Sequence, residues 1–241
     1  MKLFHLLPGK VRLGWSVHGN GKKTANGQIE WGSLSKSIGY ISIYSFTDFV
    51  TGEVSRKQQI DSVYNAMDQI ITALADKDAL IVDVSFNFGG YDAASLAIAG
   101  FFTNQPTLAY TSQVYNNGRF YDESKVYVYP AGIMRYMKPV FLLMTDISRS
   151  AAEGFVMAKK ALPQVKLAGT NTMGIQSSML GKSIGDFYST SSNQRLLDPQ
   201  SKFYEVTGVE PDIQLNVFSK ENVFGGHKEA VRLIVNMIEK Q

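Results

Sequence analysis

The sequence predicts an α/β fold, a sheet with flanking helices, and three observations carry that prediction. A strand, a turn and a helix follow one another twice, over residues 79–102 and again over 139–161, which is the grammar of βαβ units. An amphipathic helix across residues 56–75 joins the first of these units to an upstream strand. The strand Ala79–Val84 is apolar enough to be covered on both faces.

Each element follows from its own residues. Ile38-Gly39-Tyr40-Ile41-Ser42-Ile43-Tyr44 reads as a strand, apolar and aromatic in alternation. In the helix over 56–75, Ile60, Val63, Tyr64, Met67, Ile70, Ile71 and Leu74 follow the i, i+3, i+4, i+7 template. Ala79–Val84 leaves through Ser85-Phe86-Asn87-Phe88-Gly89-Gly90, a glycine turn, into a helix over Ala93–Phe102. Pro139–Met144 is a strand that runs through Thr145–Ser150 into a helix over Ala151–Ala161. Val165–Ala168 is the next strand, short extended pieces reach Leu215, and a last helix spans Gly226–Glu239.

Residues 1–35 read differently, as a small β appendage or the remnant of an upstream domain, with the main domain over 36–241. Val11–Val17 alternates like a strand, Gly19-Asn20-Gly21-Lys22-Lys23 resembles a hairpin turn, and Gln28–Trp31 would close the ribbon.

Composition excludes several classes. Among 241 residues, 44% are hydrophobic and 19% charged, so a sizeable core is available and disorder is not expected. A net charge of +3, dispersed along the chain, leaves no nucleic-acid footprint. No apolar run approaches the roughly 20 residues of a membrane span, and no signal peptide is evident. There is no cysteine, hence no thiol nucleophile or disulfide framework. His5, His18 and His227 are far apart without metal-ligand spacing, so neither a metal nor a cofactor is called for.

Three segments carry chemistry. Ser150 stands where a strand turns into a helix, beside unpaired helix N–H groups that stabilise developing negative charge. Taken alone, Ser150-Ala151-Ala152-Glu153 is equally a capping box. Gly89-Gly90 at the carboxyl end of a buried strand lets a backbone N–H point into a crevice, or simply makes a tight turn. Glu205, in Tyr204-Glu205-Val206-Thr207-Gly208, could orient a base or lie in a solvated loop.

Taken in order, these segments resemble the tail-specific, or C-terminal processing, serine proteases, whose relatives include the tricorn core protease and the interphotoreceptor retinoid-binding protein repeats. The resemblance covers about Ile38 to Leu215. Ile81–Gly90 is similar to the family's D-(L/V)-R-x-N-x-G-G segment, with Ser85 where arginine is usual. Ser148-Arg149-Ser150-Ala151-Ala152-Glu153 resembles its S-A-S-A-x-E nucleophile turn. Gly169-Thr170-Asn171-Thr172-Met173-Gly174 resembles G-x-x-T-x-G, and Gly208–Ile213 resembles G-(I/V)-x-P-D-(I/V). The resemblance implies a ClpP/crotonase-like twisted sheet, Ser150 as nucleophile, and the Gly90 and Ala151 amides as oxyanion hole. It implies a polypeptide substrate, no cofactor, and an extracytoplasmic bacterial location.

One position departs from the pattern. The Ser–Lys branch has a lysine general base where this chain has Ile175, and an isoleucine cannot accept a proton. The tricorn-like branch uses serine, histidine and glutamate, and Glu205 matches its glutamate. Its histidine lies in an upstream D-G-H segment, which this sequence lacks. His5, His18 and Lys182 are the candidate bases, the lysine only if burial lowers its pKa, whereas His227 opens the last helix. The chain is therefore expected to be part of a longer protein that supplies the base and a secretion signal. The resemblance implies serine-type endopeptidase activity on unfolded or C-terminally exposed polypeptides. The alternatives are a binding module for peptides or apolar ligands that has lost turnover, and a crotonase-like acyl-CoA enzyme.

Overall fold

Strands that are apolar on both sides can lie only inside a layered molecule. The computed structural model describes residues 21–218 and 223–240. In chain order its elements begin with β1 (Lys22–Thr24), β2 (Ile29–Ser33), β3 (Ile38–Ile43), α1 (Arg56–Ala73), β4 (Ala79–Asp83) and α2 (Asp92–Ala99). There follow β5 (Thr107–Asn116), β6 (Arg119–Val128), β7 (Val140–Met144), α3 (Ala151–Lys160) and β8 (Val165–Gly169). The chain ends with β9 (Met179–Ile184), β10 (Phe187–Ser192), β11 (Gln194–Leu197), β12 (Ile213–Gln214) and α4 (Val223–Ile238).

A seven-stranded sheet runs in the order β1-β2-β3-β4-β7-β8-β12. From β3 to β12 every neighbour is parallel, while β1 and β2 join antiparallel at one edge. The ribbon of residues 22–33 thus continues the main sheet. Lys22 and Lys23, which the sequence places in a hairpin turn, lie in β1, and the chain reverses at Ala25–Gly27; Gly19 and Asn20 lie outside the described residues. Residues 11–17 lie outside the described residues.

Alternation along the parallel strands divides the core in two. Ile41, Leu80, Val82, Leu142 and Leu167 face α1, α2 and α3, where Val63, Met67, Ile98 and Phe155 meet them. Tyr40, Ile81, Phe141, Leu143 and Ala168 face the other way, onto Ala230, Val231 and Ile234 of α4. Burial on both faces is what makes β4 and β7 read as unbroken apolar runs.

Two smaller sheets complete the molecule: β11-β5-β6, and a two-stranded hairpin of β9 and β10. The strands β5 and β6 carry no periodic signal that predicts them, although Asn117-Gly118 at the turn between them is the strongest short-range hairpin signal. Both turn residues have positive φ, 47° and 84°. No helix among the described residues is long and apolar enough to cross a membrane.

Candidate active site

The carboxyl ends of β3, β4 and β7 are stitched together by side chains that donate to backbone carbonyls. After β7, the Thr145 hydroxyl donates to the Ser85 carbonyl at 2.6 Å and the Ser148 hydroxyl to the Val84 carbonyl at 2.7 Å. Fully buried Asn87 donates from Nδ2 to the Ile43 carbonyl at 2.9 Å and accepts from the Gly89 amide at 2.8 Å. The Asn87 carbonyl takes the Arg149 amide at 3.3 Å. One asparagine thereby fixes the end of β3, the glycine turn and the turn before α3. An unpaired polar atom here would be expensive, and that explains the residue type.

These ties place Ser150 at the start of α3 in an unusual state. Its backbone sits at φ 57°, ψ −127°, its side chain is exposed, and its hydroxyl makes no cap hydrogen bond. That backbone region is costly for a residue with a Cβ and persists only where the surroundings impose it. They do so through a bond from the Ser150 amide to the Ile175 carbonyl, 2.8 Å. Ser150 is thus not the capping box that its sequence allows.

The glycine turn packs directly on Ser150. A Cβ at Gly89 would lie 2.7 Å from the Ser150 Cβ and 3.0 Å from the Ala151 amide nitrogen. One at Gly90 would fall 2.4 Å from the Phe46 carbonyl carbon. Both glycines have positive φ, 97° and 142°. The flanking amides are engaged, since the Gly89 carbonyl takes the Phe46 amide and the Tyr91 amide reaches the Phe46 carbonyl. Among the described residues, neither the Gly90 nor the Ala151 N–H donates a hydrogen bond.

Glu153, which the motif marks as a capping partner, turns elsewhere. Fully buried, it accepts from the Thr172 hydroxyl (2.6 Å) and from the Gly174 and Ile175 amides (both 2.7 Å). Burial pushes its carboxyl above the ordinary glutamate value; the three donors oppose this, and Glu205 adds to the rise. Glu205 continues the same task one step further along the chain. Its carboxylate takes the Gln176 amide at 3.0 Å, the Ser177 amide at 3.2 Å and the Ser177 hydroxyl at 3.2 Å. Two carboxylates therefore hold the consecutive amides of residues 174–177 against the Ser150 turn.

The remaining candidates scatter. Lys182 lies in β9 with its side chain exposed, so the burial that would make it a base is absent: a two-stranded hairpin covers nothing. His227 does not open α4 but lies inside it, because the helix begins at Val223. Its Nε2 is 2.6 Å from Asp83 Oδ2, and both are buried. Tyr40 donates to the same carboxylate oxygen, and the ring of Phe218 stacks on the imidazole. Burial alone would raise the Asp83 carboxyl, but His227, the Ser85 amide and the Tyr40 hydroxyl together hold it below its ordinary value. This buried trio had no sequence signal, since its members are 43 and 144 positions from Asp83. His5 and His18 lie outside the described residues. Among the described residues the Ser150 hydroxyl has no hydrogen-bond partner, and no group of three or more His, Asp or Glu could hold a metal.

The fold that carries this serine, the two free amides and the pinned loop is one that known proteins share. The profile of "Peptidase family S41" matches residues 37–215. A candidate peptidase from Parabacteroides merdae ATCC 43184 superposes with a TM-score of 0.77 at 24% identity, over 95% of this chain and 69% of that one. Mature CPAF complexed with lactacystin gives 0.72 at 14% identity, over 95% of this chain and 60% of its own. The photosystem II D1 C-terminal processing protease gives 0.56 at 18% identity, over 80% and 47%. The chain thus spans about half to two-thirds of the length of these proteins, and at such identities they share its fold. The family profile covers well over half of the sequence, and the chain belongs to peptidase family S41.

Proposed function

We propose that the chain hydrolyses peptide bonds of unfolded or C-terminally exposed polypeptides, with Ser150 as nucleophile. The observation that carries this reading is the exposed Ser150, held at φ 57° beside the unpaired amides of Gly90 and Ala151. In the reaction, Ser150 Oγ bonds to the scissile carbonyl carbon as its proton passes to a base. The Gly90 and Ala151 amides receive the negative charge on the carbonyl oxygen. Collapse of the intermediate breaks the C–N bond, the amine leaves with the proton, and water then releases the acyl group. Glu205 holds the loop at Gln176 and Ser177, and we assign it to positioning that loop; His5 and His18 remain the candidate bases. One structural neighbour, the photosystem II D1 C-terminal processing protease, is named for action at a chain end, which supports chain ends as substrates here. An extracytoplasmic location is part of the same proposal.

The test compares the full chain with its Ser150→Ala variant on fluorescein-labelled casein, alongside labelling by a fluorophosphonate probe. Cleavage should fall by about 10³-fold or more and labelling should vanish. Equal cleavage by both proteins overturns the assignment.

One observation favours a binding module instead. Ile175, whose carbonyl holds the Ser150 amide, leaves 44% of its surface exposed beside the nucleophile turn. That reading requires casein to bind equally to both proteins with no cleavage by either.

A further inference from the structure

The loop held by Glu153 and Glu205 does not end at Ser177 but runs on into the β9–β10 hairpin. At the root of the hairpin, Ser177 Oγ is hydrogen-bonded to Ser192 Oγ and donates to Glu205. Beyond the root, β9 and β10 pair, among the described residues, only with each other, over six cross-strand pairs from Met179↔Ser192 to Ile184↔Phe187. Both outer edges therefore present unpaired backbone groups along most of the hairpin. A lone two-stranded hairpin is marginal in water, and this one also leaves large side chains in solvent. Leu180, Ile184 and Phe187 share one face and are 59%, 61% and 79% exposed; Met179 and Tyr188 share the other at 65% and 72%. Its charged residues are Lys182 and Asp186, and it has no proline, so it carries little of the protection usual at an open strand edge.

A second, independent feature lies at the same root. Gln176 is 6% exposed, and among the described residues neither its side-chain nitrogen nor its oxygen has a hydrogen-bond partner. A buried primary amide with an idle donor and an idle acceptor is unstable by itself. A peptide group supplies the complementary acceptor and donor in one planar unit. Gln176 stands in sequence between Ile175, which holds the Ser150 amide, and Ser177, where the hairpin begins.

We propose that the β9–β10 hairpin is a docking arm for an extended, apolar-rich polypeptide, which adds to it as a further strand and is met at the root by the Gln176 amide. Strand addition reads the backbone through main-chain hydrogen bonds, and the flanking apolar side chains bias the sequence. A chain bound in this way runs along the hairpin toward its root, and the root is tied to the Ser150 turn through Ile175. The ligand class rests on the peptidase reading above; the place where it docks does not follow from that reading.

The test measures binding without turnover. The full chain carrying Ser150→Ala is titrated into fluorescein-labelled β-casein and followed by anisotropy, with the association state followed by light scattering. Adding Leu180→Asp and Phe187→Asp, two exposed positions, should weaken binding by at least about tenfold. Gln176→Leu should also weaken it several-fold while leaving the melting temperature equal or higher, because it removes an unsatisfied buried amide. A purely structural role for Gln176 predicts the opposite pairing, lower melting temperature with binding intact, and would overturn its part in docking. Casein affinity unchanged in the hairpin variant, or no casein binding at all, overturns the proposal. So does a parent dimer that the hairpin substitutions convert to monomer, because the hairpin would then be a contact between copies of this chain. Fluorophosphonate labelling of Ser150 in the unsubstituted chain reports on the peptidase reading separately from all of these outcomes.

Discussion

Two serines in this chain stand before helices with Gln or Glu three residues later, and they behave in opposite ways. Ser55, before α1, has an extended backbone at φ −65°, ψ 155° and forms a complete capping box with Gln58. Its hydroxyl accepts the Gln58 amide at 3.3 Å, and Gln58 Oε1 takes the Ser55 amide at 2.9 Å. Ser150, before α3, is turned to φ 57° and caps nothing, and Glu153 faces the 172–175 loop. The carbonyl of Ile175 has taken the Ser150 amide that a capping-box glutamate would have bonded. The same four-residue pattern thus closes a helix in one place and opens a site in the other, and tertiary partners decide between the two.

The largest expected effect separates the two partners at the third helical position, Gln58 and Glu153. Glu153→Ala strands the Thr172 hydroxyl and two amides in the interior and should lower stability by about 3 kcal/mol in chemical denaturation. Gln58→Ala, on an exposed helix end, should stay within about 0.5 kcal/mol; comparable losses would erase the distinction. The serines themselves come next. Ser55→Ala should lose about 1 kcal/mol, and Ser150→Ala should stay within about 0.5 kcal/mol although it removes the proposed nucleophile. Equal losses at both positions would return Ser150 to the role of a cap.

The smallest effect is a pH dependence confined to one of the pair. Burial, with a lesser contribution from Glu205, sets the folded Glu153 carboxyl above its ordinary value. In the interval between the two values the folded protein binds more proton than the unfolded one, so protonation favours the fold. Stability relative to Glu153→Gln should therefore fall as pH rises from about 4.3 through the raised folded value, then level off. Urea midpoints measured from pH 4 to 8 check this, and a rise across that interval contradicts it.

The βαβ grammar was legible because strands buried on both faces are apolar at every position and α1 is strongly periodic. The glycine turn and the turn at Ser150 were legible through their motifs. The capping reading of Ser150-Ala151-Ala152-Glu153 failed because a local pattern cannot announce that residues 172–175 will arrive beside Glu153. Asp83 is part of a recognisable strand, yet its partners Tyr40 and His227 come from β3 and α4, and no spacing rule links them. The β5–β6 hairpin went unread despite Asn117-Gly118, since its strands are partly exposed on both faces and mix polar with aromatic residues.

Ser150 and Gly89 meet through the turns that leave two adjacent strands, and those strands are aligned Leu80↔Val140 through Asp83↔Leu143. One residue added to or removed from either strand would displace its turn by about 3.3 Å, more than the length of a hydrogen bond. It would also turn every later side chain to the opposite face. This end of the sheet should then accept changes of residue far more readily than changes of length. In a library of variants, insertions and deletions within 79–90 and 140–150 should be depleted even where single substitutions survive.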